Sequence, residues 1–175
     1  MNIANLLTFV RFLLIPVFVY VLYGDGQGSI MAATSIFLFA GFTDILDGYV
    51  ARKYNMITKW GQAMDPLADK LMQLTVLFCF TDKGILPLWV IVVIGIKELF
   101  MILGALILYY YKDKVVIQAN HYGKFATVMM YVAILAVVLH LPFAIYIMVL
   151  AVCFTLLAFH NYVSGFKQIH KNIDA

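Results

Sequence analysis

The chain has 175 residues, 65% of them hydrophobic and 12% charged, with a mean hydropathy of +0.96. A soluble domain carries about 25% charged residues, so this composition excludes an ordinary water-facing surface and points to lipid as the solvent. The net charge of +3 is small and scattered, and gives no footing for nucleic-acid binding.

A membrane-spanning helix needs about 20 mostly apolar residues. By that criterion six spans are expected, at roughly 6–23, 30–49, 61–81, 86–111, 121–140 and 143–165. The expected fold is an all-α integral membrane bundle of six transmembrane helices, and the length suits one domain, 1–175. The first span has no basic stretch ahead of it and no small-x-small site after it, so it reads as a retained helix rather than a signal peptide. Asn5 or Thr8 is a candidate cap for its start, and Arg11 lies within its first turns.

The second and third spans hold the charge pattern that stands out. Asp44 and Asp47 are three residues apart, and Asp65 and Asp69 are four apart. On a helix each pair projects from one face. Two such faces brought together pool four carboxylates, which repel one another unless a hard cation such as Mg²⁺ or Mn²⁺ neutralises them. Arg52, in the same stretch, offers a planar donor fork suited to phosphate oxygens. Gly48, Ala51 and Gly61 contribute absence of bulk, which lets a ligand approach the backbone. Duller readings exist for single residues. Asp65 precedes Pro66 and reads as an N-cap with proline at N1. Arg52, Lys53 and Lys59 read as positive-inside anchors, and Gly48 and Gly61 as helix-packing contacts.

The fourth span carries Lys97 and Glu98, where an unaided charge costs several kcal/mol. Adjacent residues point about 100° apart on a helix, so a direct pair between them looks awkward. Tyr109 to Tyr111 read as an aromatic belt at the end of that span. Cys79 and Cys153 sit in different apolar runs and read as free buried thiols. His121, His140, His160 and His170 show no metal spacing and read as loop or interfacial residues.

Loop charges set the orientation. Arg52, Lys53 and Lys59 follow span two; Lys112, Lys114 and Lys124 flank the gap before span five; Lys167 and Lys171 follow span six. The alternate loops hold only Lys83. The positive-inside rule then puts both termini and the acidic stretch on the cytoplasmic side of the cell membrane.

Taken together, the stretch reads Asp44-x2-Asp47-Gly48-x2-Ala51-Arg52-x8-Gly61-x3-Asp65-x3-Asp69. It resembles the signature of the CDP-alcohol phosphatidyltransferases at all eight fixed positions and every gap. The resemblance implies a membrane enzyme, a homodimer, that moves a phosphatidyl group from CDP-diacylglycerol to an alcohol and releases CMP. It implies two Mg²⁺ or Mn²⁺ ions held by Asp44, Asp47 and Asp65. Asp69 is implied as the general base that also touches a metal. Gly48, Ala51, Gly61 and Arg52 are implied around the CDP moiety.

The opening, Asn2-Ile3-Ala4-Asn5-Leu6-Leu7-Thr8 through Arg11 to Ile15-Pro16, resembles the start of bacterial phosphatidylglycerophosphate synthases and of cardiolipin synthases in the same superfamily. The first implies glycerol 3-phosphate as acceptor, and the second implies phosphatidylglycerol. Lys97 stands where the synthases show Arg, Ala105 stands where they show a second arginine, and a Gly-Lys-x-Lys-Thr element appears as Gly123-Lys124-Phe125-Ala126-Thr127. Lys97 and Lys124, joined by Arg11 or Lys59, are the candidate cations for an acceptor phosphate. Transfer to glycerol 3-phosphate is the reading the resemblance implies first, with phosphatidylglycerol as its rival, which the fewer basic residues favour. The eight-position signature argues against a non-catalytic scaffold or an ion transporter. The absence of internal repeats further weakens the transporter reading.

Overall fold

The computed structural model describes residues 3–24, 26, 28–53, 59–111 and 121–173. Side chains are described within narrower bounds, which leave out 3–5, 45, 47–53, 59–63, 66, 105–111, 121–122, 124, 162 and 165–173. The described residues form six helices and no strand: α1 Ile3–Tyr23, α2 Ser29–Lys53, α3 Lys59–Asp82, α4 Leu88–Tyr111, α5 His121–Val138 and α6 Ala144–Ile173. Each coincides with one expected span. Two carry a segment long and apolar enough to cross a membrane by length and composition, Leu6–Tyr23 and Ala144–Asn161, and only 22% of each segment is buried. A helix in a soluble core would be mostly covered. Tyr20, Phe78, Leu88, Phe143 and Tyr146 all stand open. Side chains of this size are left outside when the surroundings are apolar.

The chain divides into two compact units, Met1–Leu86 with α1 to α3 and Pro87–Ala175 with α4 to α6. In the first unit two side-chain contacts fix the direction of α3 against α1. Thr8 near the start of α1 meets Asp65 in the first half of α3, and Tyr23 at the end of α1 meets Asp82 at the end of α3. The two helices therefore run parallel. α2 runs back along α1, so its C-terminal half lies at the end where α1 and α3 begin. Phe18, Leu22, Phe37, Met72, Val76, Leu77 and Phe80 are buried between the three helices, with the Phe18 and Phe80 rings 5.7 Å apart. At the far end the Tyr23 hydroxyl donates to Asp82 at 2.5 Å, and the Lys83 ammonium lies 4.7 Å above the Tyr23 ring.

The helix ends follow from local chemistry. α3 closes on Gly84, whose φ is +71°, with Ile85 N–H reaching the Phe80 carbonyl and Gly84 N–H the Thr81 carbonyl. This paired return satisfies carbonyls that the helix end leaves open. α5 closes in the same way on His140, a non-glycine residue at φ +53°, with Leu141 N–H bonded to Ala136 and His140 N–H to Val137. Pro142 follows and cannot extend the helix.

In the second unit α6 packs against α5 and α4. Small residues allow the close approach: Ala126, Ala133 and Ala136 of α5 and Ala151 of α6 are buried beside Met130, Ile134 and Met148. The Phe125 and Phe154 rings meet edge to face at 5.1 Å. The cysteines are free, as expected; Cys79 is buried, whereas Cys153, expected to be buried too, is exposed on α6.

Two sequence expectations are corrected here. α1 begins by Ile3, so neither Asn5 nor Thr8 caps it; the Thr8 hydroxyl turns inward to a carboxylate on another helix instead. α3 begins by Lys59, so Asp65 lies in the helix interior and is not an N-cap. In addition α2 runs on to Lys53, past the break expected after residue 49. Its 25 residues span about 37 Å at 1.5 Å each, longer than the roughly 30 Å of hydrocarbon.

Candidate active site

The first unit gathers charge where no soluble core would. Arg11 is 1% exposed, although it carries a permanent positive charge. Its Nη1 lies 2.8 Å from Asp44 Oδ1, across from α1 to α2. The same nitrogen donates to the Asp65 carbonyl of α3 at 3.4 Å. Thr8, one turn earlier on α1 and buried, donates its hydroxyl hydrogen bond to Asp65 Oδ1. The spacing of Thr8 and Arg11, three residues apart, puts both on one face of α1. A single helix face thus holds one carboxylate from each of its two neighbours. Asp44 and Asp65 also act on each other electrostatically.

Burial decides the balance of this cluster. A guanidinium taken out of water loses several kcal/mol of solvation, and a lone carboxylate partner with good geometry offsets it only in part. Asp44, 38% exposed at its side chain, keeps access from outside while Arg11 does not. Asp69 follows Asp65 by one turn of α3, is partly covered, and has contacts of its own. The side chains of Asp47, Gly48, Ala51, Arg52, Gly61 and Lys124 lie outside the described residues. Their helices place Asp47, Gly48, Ala51 and Arg52 on the C-terminal half of α2 and Gly61 on the first turn of α3. These are the segments that meet at the Arg11 end of the unit.

The donor set fits a hard divalent cation. The described side chains offer carboxylate oxygens from facing helices, the chemistry Mg²⁺ and Mn²⁺ select. Arg11 meets the carboxylate of Asp44 and the backbone carbonyl of Asp65, whose own carboxylate is met by Thr8. Among the described residues no three acidic, histidine or cysteine side chains close into a complete cage; the fourth signature carboxylate, Asp47, is outside them.

The second unit holds the other buried charges. Lys97 Nζ and Glu98 Oε1 lie 2.5 Å apart, and both side chains are nearly covered. A direct pair between adjacent residues had looked awkward from the 100° offset. The four-carbon lysine stem and the three-atom glutamate stem bend toward each other and close the gap. On α5 the Thr127 hydroxyl donates to the Gly123 carbonyl at 3.1 Å, so this threonine is engaged within its own helix.

The sequence profile of the CDP-alcohol phosphatidyltransferases matches residues 1–157. The chain belongs to the CDP-alcohol phosphatidyltransferase family. A Bacillus subtilis relative, CDP-diacylglycerol–glycerol-3-phosphate 3-phosphatidyltransferase, is 33% identical over 194 aligned positions, which cover 99% of this chain and 96% of the relative. A Mycobacterium tuberculosis (strain H37Rv) protein named "Probable phosphatidylglycerophosphate synthase" is 36% identical over 171 positions, 93% of this chain and 80% of that one. A Drosophila melanogaster protein named "Probable cardiolipin synthase (CMP-forming)" is 39% identical over 108 positions, 60% of this chain and 32% of that one. This phosphatidyltransferase is all-helical and apolar, as a membrane member of its family should be.

Proposed function

We propose that this chain transfers the phosphatidyl group of CDP-diacylglycerol to glycerol 3-phosphate, forming phosphatidylglycerophosphate and CMP. The observation that carries the reading is the meeting of Asp44 and Asp65 around Arg11 in a chain of this family. The near full-length similarity to the Bacillus relative supports glycerol 3-phosphate as acceptor. The Drosophila similarity keeps phosphatidylglycerol, and hence cardiolipin, as the second reading.

In this mechanism Asp44, Asp47 and Asp65, with Asp69, would hold two divalent ions, Mg²⁺ or Mn²⁺. The chemistry the ions would supply there is neutralisation of the pyrophosphate and of the charge that passes to the leaving CMP. Gly48, Ala51 and Gly61 leave room for cytosine and ribose, and Arg52 binds the nucleotide phosphates. Asp69 accepts the proton of the acceptor hydroxyl. The hydroxyl oxygen bonds to the phosphorus of the phosphatidyl group while the bond from that phosphorus to the CMP oxygen breaks. Lys124 and Lys97 attract the acceptor phosphate, Lys97 as half of its pair with Glu98.

The whole chain works as one domain in this reading, supported by a family profile that runs through both units. It is a homodimer with six spans in contact with membrane lipid, and both termini and the signature face the cytoplasm. Lys83, in a loop at the end of the first unit away from Arg11, supports that orientation. In a chain lacking Cys79 and Cys153, Gly26→Cys should react with an impermeant maleimide on intact cells. Asn55→Cys should react only after lysis. The reverse pattern would invert the topology.

The test of function is turnover of CDP-diacylglycerol against a panel of acceptors, with products resolved by mass. Phosphatidylglycerophosphate should form with glycerol 3-phosphate. Robust cardiolipin formation with no product from glycerol 3-phosphate would replace this reading by the second. In the same assay Lys124→Ala should raise KM for glycerol 3-phosphate about ten- to a hundredfold, with less effect on the donor, since a charge-assisted hydrogen bond contributes about 1.5–3 kcal/mol. Lys97→Ala should do so too, but it also takes a buried ion-pair partner from Glu98, at a cost of about 3–5 kcal/mol in stability.

A further inference from the structure

We propose that Thr8 and Arg11 are positioning residues that assemble the ion site. From one face of α1 they hold Asp44 and Asp65 in register before a metal enters: the guanidinium is the counter-ion of Asp44 and reaches the Asp65 backbone, and the Thr8 hydroxyl holds the Asp65 carboxylate. The inference deepens the phosphatidyltransferase reading and rests on it for the identity of the ligands.

The geometry divides each carboxylate in two. Arg11 Nη1 holds Oδ1 of Asp44, and Thr8 holds Oδ1 of Asp65. Oδ2 of each is then the oxygen offered to an ion. Arg11 also ties down the Asp65 backbone through its carbonyl, so one nitrogen bridges α2 and α3. Thr8 and Arg11 are 4% and 1% exposed, too covered to meet substrate first. Their place is behind the carboxylates.

Without such a clasp two like charges on neighbouring helices drive those helices apart, and an arriving ion has to gather them. With it the ligands stand ready, and a single guanidinium against two carboxylates still leaves the site attractive to a divalent cation. Partners of this kind behind metal ligands change metal affinity or rate by about 10–100-fold.

The test uses the full chain in lipid nanodiscs, with Mn²⁺ as the probe. Binding is followed by loss of the free-ion electron paramagnetic resonance signal, alongside turnover of CDP-diacylglycerol. Thr8→Val and Arg11→Met should each weaken Mn²⁺ binding about 10–100-fold, while the fold, followed by thermal unfolding and dimer elution, persists in at least Thr8→Val. Excess Mn²⁺ should restore much of the lost turnover, which a merely structural defect would not permit. Arg11→Lys should recover part of the affinity, because it returns the charge without the planar fork. Wild-type Mn²⁺ affinity in folded Thr8→Val and Arg11→Met overturns the proposal. Tighter binding in Arg11→Met also overturns it, since the guanidinium would then compete with the ion. If the wild-type chain binds Mn²⁺ and both variants weaken it, but no phosphatidyl transfer occurs, the functional reading falls and the clasp stands.

Discussion

Exhaustive removal of divalent cations should bring turnover of CDP-diacylglycerol to background, and Mg²⁺ or Mn²⁺ alone should restore it. The expected loss is complete because the site repels its own substrate without ions. Asp44 and Asp65 already lie close enough to act on each other, and the signature brings Asp47 and Asp69 on the same two helices. The donor adds a pyrophosphate anion. A pair of unit charges 4 Å apart interacts with about 1 kcal/mol in water and about 4 kcal/mol near a protein surface. Several such repulsions together exceed what Arg11, committed to Asp44, can offset. Each 1.36 kcal/mol of barrier is tenfold in rate, so the ion-free enzyme should be slower by many powers of ten. The measurement is turnover after dialysis against chelator, followed by readdition of single metals. Ca²⁺ is an informative third arm, because it prefers six to eight ligands at longer distances than Mg²⁺. Full turnover in the chelated enzyme would sink the di-metal mechanism.

The six helices among the described residues were legible because polar or helix-breaking residues separate their apolar runs. The acidic positions of α2 and α3 were legible as a candidate face, since residues three or four apart share one side of a helix. The partners of that face were not. Thr8 and Asp65 are 57 residues apart in sequence, and Arg11 reaches Asp65 over 54. Only the parallel packing of α1 on α3 brings them together. A signal was present all the same: a buried arginine on an apolar helix needs an acidic partner, and Thr8 sits on its face. Threonine near a helix start invites a capping reading, and that local preference lost to a charged partner on another helix. Lys97 and Glu98 show the opposite error, where backbone direction was read and the reach of long side chains was not. His140 illustrates a third limit. It closes α5 in the left-handed region, where glycine is the common choice, so its residue type announced a break but not this geometry.

Asp69→Asn should lower kcat by about 10²–10⁴-fold and change Mn²⁺ affinity far less. Asp44→Asn should weaken Mn²⁺ binding and lower the rate together. The difference follows from position. Asp44 is held by Arg11, the residue that also reaches the Asp65 backbone. Asp69 lies a turn further along α3. An amide cannot take the proton from the acceptor hydroxyl, so the loss appears in the transition state and not in the binding of either substrate. For Asp44 the amide keeps an oxygen for the guanidinium but removes its charge. Arg11, 1% exposed, is then left buried with a weaker partner. A thermal destabilisation of about 1–3 kcal/mol should therefore accompany Asp44→Asn. Steady-state kinetics, Mn²⁺ titration and thermal unfolding on the two variants separate these roles. Near-normal kcat in Asp69→Asn with a large fall in Mn²⁺ affinity would make Asp69 a ligand only, and the proton would then have to leave by another group.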